Sequence, residues 1–325
     1  MLKKLFLFVL LSINGTFLLK AQQITRFESE QQIVLEKDTL YGTLLTSGNL
    51  KDLDIFNKPV VIFISGSGPT DRDGNSGGKG SNAIGLLADS LLQYHIASFR
   101  YDKPGVGKST FNGELKDFRF KHLTSALSEV VDHIDQLGFK EIYLAGHSQG
   151  SLLALIEAES NHKIKGVISL AGAGEKAISL LKKQIAETPF MPDAVREETI
   201  LKLDSLDKGL EVKKYSMFNA AFLNTNIQDF IISFNEYNPA EVAKNIKAPL
   251  LIVQGQKDLQ IDMSNAEKLK AAKPDAQLLV YEEMNHVLKK TQSEVDNYKS
   301  YNDSSFPLQP GLTADIANWI KKQAQ

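Results

Sequence analysis

Six short apolar runs constrain this chain more than anything else in it. They read "PVVIFIS" (59–65), "IASFRYD" (96–102), "EIYLAG" (141–146), "KGVISLAG" (165–172), "PLLIVQG" (249–255) and "QLLVYE" (277–282). The first is continuously apolar, the pattern of a strand buried on both faces. Amphipathic helical stretches separate them, so a parallel sheet covered by helices on both sides is expected. The clearest helix spans 122–137, with Leu123, Ala126, Leu127, Val130, Val131 and Ile134 on one face and Gly138 as its stop. Further helices are expected near 80–94, 151–159 and 312–322, and an antiparallel hairpin turning at Lys37-Asp38 over 31–46. In such a sheet, ligand-facing residues gather at the carboxyl ends of the strands.

One segment breaks the rhythm. About 75 residues between Ala171 and Pro249 carry no strand signal. They are charged and helix-prone, yet include Phe190, Met191, Met217, Phe218, Phe222, Phe230 and Phe234. Ordinary strand–helix connections are far shorter, so a helical insertion capping a site is expected. Its aromatic residues either line a pocket or form the insertion's own core.

Of the 325 residues, 42% are hydrophobic and 23% charged, with net charge −2 and no basic run, which excludes nucleic acid as a partner. The absence of cysteine excludes disulfides, thiolate metal sites and a cysteine nucleophile. The first 21 residues have two lysines, an apolar run from Leu5 to Ile13, and small and polar residues before Ala21. That is the layout of a secretory signal, and the run is short for a membrane span. Cleavage near Ala21 leaves 34 basic against 39 acidic side chains, a mature charge of −5. The expected product is exported, periplasmic or secreted, with no stable membrane insertion.

"AGHSQGS" sets Gly146-His147-Ser148-Gln149-Gly150 between an expected strand and an expected helix. This G-x-S-x-G spacing suits a tight turn that lifts Ser148 above the sheet and leaves the N–H groups at the helix start free. A serine needs a base, and the base needs an orienting group. Asp258 follows the strand "PLLIVQG", with Asp262 as a competing acid deeper in the loop. His286 follows "QLLVYE" and is the one histidine past a strand downstream of Ser148 and an acid, whereas His147 is expected to point away from the site.

"DKPGVGKS" (102–109) superficially matches a nucleotide-phosphate loop. The glycine that loop needs falls at Asp102, and Pro104 removes a backbone donor, so the reading fails. Asp71, Asp73 and Asn75 likewise mimic a calcium loop, but its twelfth-position glutamate would be Asn82. No metal and no cofactor are expected.

The order Ser148, Asp258, His286 on this strand pattern resembles the α/β-hydrolase superfamily over roughly residues 30–325. The resemblance implies a mostly parallel eight-stranded sheet flanked by helices, with core segments 22–174 and 246–325 and a cap at 175–245. "DKPGVGKS" is similar to the family's D-x-R-G-x-G-x-S turn, with Pro104 where arginine is usual. The loop "SGSGPTDRDGNSGG" resembles the family's His-Gly oxyanion loop, with Ser65 in place of histidine. Its wording is similar to that of bacterial carboxylesterases grouped with serine aminopeptidases. The resemblance implies an oxyanion hole from the N–H groups of Gln149 and of Ser67, or alternatively Gly68. Asp71, Arg72 and Asp73 are expected to brace the loop by mutual ion pairs. The expected substrate is a small-molecule ester. A short peptide cleaved by an aminopeptidase is the alternative, with Glu187, Glu197 and Glu198 as candidate ammonium holders. A non-catalytic binding protein is disfavoured because all three triad positions are filled.

The signal reading is checked by expressing the full chain in a bacterial host. Recovery outside the cytoplasm, with Edman sequencing starting at Gln22, is expected.

Overall fold

Alternate residues of the central strands face opposite sides, and each side has its own core. Val60, Ile62 and Ile64 of β3 (Val60–Ile64) enter one cluster, whereas Val61 and Phe63 enter the other. Ile142 and Leu144 of β5 (Ile142–His147) are likewise separated from Tyr143 and Ala145. The computed structural model describes residues 24–51, 53–188, 191–217 and 219–324. The expected signal segment, Phe190 and Phe218 lie outside the described residues.

The remaining sheet strands are β1 (Phe27–Val34), β2 (Thr39–Thr46), β4 (Ala97–Tyr101), β6 (Ile164–Leu170), β7 (Leu250–Gly255) and β8 (Gln277–Tyr281). Their order is β1-β2-β4-β3-β5-β6-β7-β8. The strands from β3 onward run parallel, and β1 and β2 are the antiparallel hairpin expected from the sequence. Helices α1 (Ala83–Leu92) and α11 (Leu312–Gln323) cover one face, bringing Ile84, Leu87, Ile316 and Trp319 into its core. On the other face lie α2 (Phe120–Gln136) and α3 (Gln149–Ser160).

The insertion after β6 forms α4 (Ala177–Glu187), α5 (Asp193–Asp207), α6 (Ala220–Leu223) and α7 (Thr225–Asn235). Ile178, Ile185, Leu203, Leu206, Leu223 and Ile231 give these helices a small core of their own. The next helix, α8 (Pro239–Asn245), instead sends Val242 and Ala243 into the large core. After β7 come α9 (Met263–Ala272) and, after β8, α10 (Glu294–Ser300).

Helix α7 seats the cap on the sheet domain through aromatic side chains. Phe234 stacks on the fully buried Phe120 of α2 at 4.7 Å, and Phe230 and Tyr237 flank the same ring. Arg119 pairs with Asp229 at the rim of this joint. Phe120→Ala removes the shared ring and is expected to cost about 3–5 kcal/mol in urea unfolding, the usual range for a buried phenylalanine.

Candidate active site

The junction from β5 to α3 is too tight for side chains on either flank of Ser148. A Cβ on Gly146 would lie 2.1 Å from the Gly150 carbonyl oxygen, and one on Gly150 2.3 Å from that of Ile64. Ser148 itself sits at φ 53°, ψ −119°, a strained conformation for a residue with a Cβ. Its N–H is tied to Leu170 O at 2.8 Å, which anchors the turn to β6.

Asp258 and His286 follow β7 and β8, whose ends are paired at Gly255 and Tyr281. His286 Nδ1 lies 2.8 Å from Asp258 Oδ2. A carboxylate can only accept here, so Nδ1 carries the proton and Nε2 is the basic nitrogen. The other carboxylate oxygen accepts the N–H groups of Gln260 and Ile261, both at 2.8 Å. Gln254, fully buried in β7, also reaches Oδ2 at 3.2 Å. Asp262, the competing acid, caps α9 by accepting the Ser264 N–H at 2.8 Å. Asp258 is therefore the carboxylate brought to the histidine.

Ser148 and His286 line one polar cleft of about 200 Å³, together with Ser67, Ser76, Lys79 and Asn302. No hydrogen bond joins their side chains in this arrangement; such bonds commonly tighten only when substrate arrives. Ser148 also opens on its other side into an apolar chamber of about 400 Å³ beneath the cap. Leu152, Leu180, Phe222, Phe230, Ile231 and Phe234 line it. Phe222 and Phe230 thus serve both roles the sequence left open, Phe234 lines the chamber but packs against the large core, and Met217, 88% exposed, serves neither role.

Ser67, Gly68 and Gln149 border the chamber beside Ser148. Among the described residues, the N–H groups of Ser67 and Gln149 donate to no other group. Ser65, standing where histidine was expected, donates to Thr70 O at 3.1 Å and helps close the loop.

The loop charges do not pair with one another as expected. Asp71 instead accepts the backbone N–H groups of Asp73 at 3.0 Å and Asn75 at 2.8 Å. Arg72 reaches across to Asp102 at 2.6 Å and to Thr43 Oγ1 at 2.8 Å, and Asp73 takes Arg100 at 2.7 Å. These partners come from neighbouring strands, whose adjacency the sequence does not display. The "DKPGVGKS" turn is built on the same Asp102. A Cβ on Gly107 would meet its carboxylate at 2.4 Å, and Ser109 Oγ donates to its carbonyl at 2.7 Å.

His147 is not turned away as expected. Its Nε2 lies 2.8 Å from the His286 carbonyl, with the two rings 4.8 Å apart. As the donor, Nε2–H anchors the main chain of the histidine that faces Asp258. The residue's place inside G-x-S-x-G shows only that it flanks Ser148; the fold of the His286 loop decides what it touches.

The family model described as the alpha/beta hydrolase fold matches residues 59–216, and that of the dienelactone hydrolase family matches residues 233–307. The chain belongs to the α/β-hydrolase superfamily. Esterase EstD of Thermotoga maritima is 25% identical over 239 residues, 71% of this chain. The chain spans only 54% of that relative's length. Est1E from Butyrivibrio proteoclasticus, solved with ferulic acid, superposes with TM-score 0.58 at 17% identity, covering 90% of this chain and 98% of that one. The Pyrococcus furiosus esterase Pf2001 gives 0.57 at 16% identity and 92% coverage of both chains.

Burial and the neighbouring His286 push the pKa of His147 down to about 4. The unfolded chain protonates this residue near pH 6.5, the folded one only near 4. Its contribution to stability is therefore full above pH 6.5 and is lost as the pH falls towards 4. In urea unfolding across that window, His147→Gln is expected to show a shallower loss of stability than the wild type.

Proposed function

We propose that the protein is a serine hydrolase cleaving carboxylic esters through an acyl-enzyme, and that it acts outside the cytoplasm. The observation that carries this reading is the convergence of a strained Ser148 and an Asp258-bound His286 on one cleft. Ser148 Oγ attacks the ester carbon while His286 Nε2 takes its proton. Asp258 holds the ring in the required tautomer and stabilises its positive charge. The Ser67 and Gln149 N–H groups receive the tetrahedral oxyanion. His286 then protonates the leaving alkoxide, and water repeats the sequence on the acyl-enzyme.

The two spaces flanking Ser148 orient the substrate. The leaving group must lie within reach of His286, which lines the polar cleft and not the apolar chamber. The alcohol is thus assigned to the polar cleft and the acyl group to the chamber. The esterase relatives are consistent with this class of substrate. An aminopeptidase would need carboxylates free to hold an ammonium group. Glu187, Glu197 and Glu198 are exposed and absent from the chamber lining, and Glu175, which does line it, is engaged by Lys183 and Lys268.

A rate assay with p-nitrophenyl esters of increasing acyl length tests the assignment. Each methylene that the chamber buries is worth about 0.8 kcal/mol, so kcat/KM is expected to rise roughly fourfold per added carbon until the chamber is full. Ser148→Ala is expected to lower kcat about a million-fold. Turnover confined to amino-acid p-nitroanilides with a free amino group would replace the esterase reading with the aminopeptidase one.

A further inference from the structure

Lys103 stands at the end of β4, directly after the Asp102 that anchors the neighbouring turn. It is 3% exposed and has no carboxylate partner among the described residues. Its ammonium group donates instead to two main-chain carbonyls, those of Gly66 and of Gly68, the latter at 2.9 Å. Burial pushes its pKa down to about 7, so the fold keeps an amine where charge is costly.

Those two carbonyls flank Ser67. The Gly66 carbonyl and the Ser67 N–H belong to one peptide unit, and no described peptide bond is cis. In a trans peptide the C=O and N–H point in opposite directions. An amine gripping the Gly66 oxygen from behind therefore turns the Ser67 N–H away from Lys103. Ser148 is the neighbour of this peptide: a Cβ built on Gly66 would be 3.4 Å from Ser148 Cβ, and Ser67 and Ser148 line the same two spaces. The second grip, on the Gly68 carbonyl two peptide units further on, fixes the loop on the other side of Ser67, where the chain turns at φ +71°. Thr70 Oγ1 completes the turn by donating to Ser67 O at 2.7 Å.

The geometry points to Lys103 as the positioning residue of the oxyanion hole. It sets the plane of the peptide that presents the Ser67 N–H and polarises that peptide, making the N–H a stronger donor to developing negative charge. This inference rests on the esterase reading. It also implies that the Ser67 donor belongs to a rigid, pre-oriented peptide, which is what makes such a donor effective in the transition state.

The test compares wild type, Lys103→Met and Lys103→Arg on a p-nitrophenyl ester. A serine-directed alkyl boronic acid serves as the tetrahedral probe. Loss of one oxyanion donor costs about 100-fold or more in kcat. Lys103→Met is expected to lose that much in kcat with KM within twofold, and to weaken boronic acid binding in proportion. Lys103→Arg, which keeps a charged donor, should recover most of both. A folded Lys103→Met with kcat within threefold of wild type overturns the inference, as does a loss expressed only in KM. If Lys103→Met does not fold, Lys103→Gln, which removes the charge but keeps a polar side chain, carries the test: kcat and boronic acid affinity falling together support the inference, and an unchanged kcat or a fall in kcat alone overturns it. Wild-type protein inert towards esters and towards a fluorophosphonate would overturn the hydrolase reading and this inference with it. An active wild type with an unimpaired Lys103→Met overturns this inference alone.

Discussion

The approach of the β5–α3 turn to the end of β3 is the contact on which the site is built. Gly150 lies so close to the Ile64 carbonyl, and Gly146 so close to Gly150, that neither tolerates a Cβ. The junction forces Ser148 into a positive φ and leaves the first N–H of α3 without an internal partner. A strained serine backbone is unfavourable by itself, on the order of 1–3 kcal/mol. It persists because β5 is hydrogen-bonded between β3 and β6 and because α3 is buried almost along its whole length.

The same sheet edge gathers every other group of the site. Parallel strands β3, β5, β7 and β8 deliver the Ser67 loop, Ser148, Asp258 and His286 to one end. Around them the polar residues are tied by main-chain contacts as much as by charge pairs. Asp258 is held by two backbone N–H groups, His147 binds a carbonyl, and Lys103 binds two. Two ion pairs, Arg72 with Asp102 and Asp73 with Arg100, join the loop after β3 to β4 and the turn that follows it. Removing one partner of such a pair would leave the other charge uncompensated in the interior.

The cap contributes substance rather than chemistry. Its own core is small, and it leans on Phe120 through α7 while lending Phe222, Phe230 and Phe234 to the chamber. Packing therefore couples the seating of the cap to the shape of the apolar chamber.

Strand identity, the hairpin, helix α2 and the glycine-flanked serine were all legible, because burial on both faces, helical periodicity and a missing Cβ each leave a local mark. Asp258 and His286 could be picked out as candidates because each follows a recognisable strand. What lies between residues distant in sequence was not legible. The mutual pairing assumed for Asp71, Arg72 and Asp73 gives way to partners on β2, β4 and the turn after β4, and His147 finds the His286 carbonyl 139 positions away. The sequence by itself determined the sheet, the elbow and the order of the polar residues along the chain. Only the tertiary structure decided which carbonyls, carboxylates and apolar walls they meet, because hydrogen bonds and cavities depend on the register and stacking of strands and helices, which local periodicity does not encode.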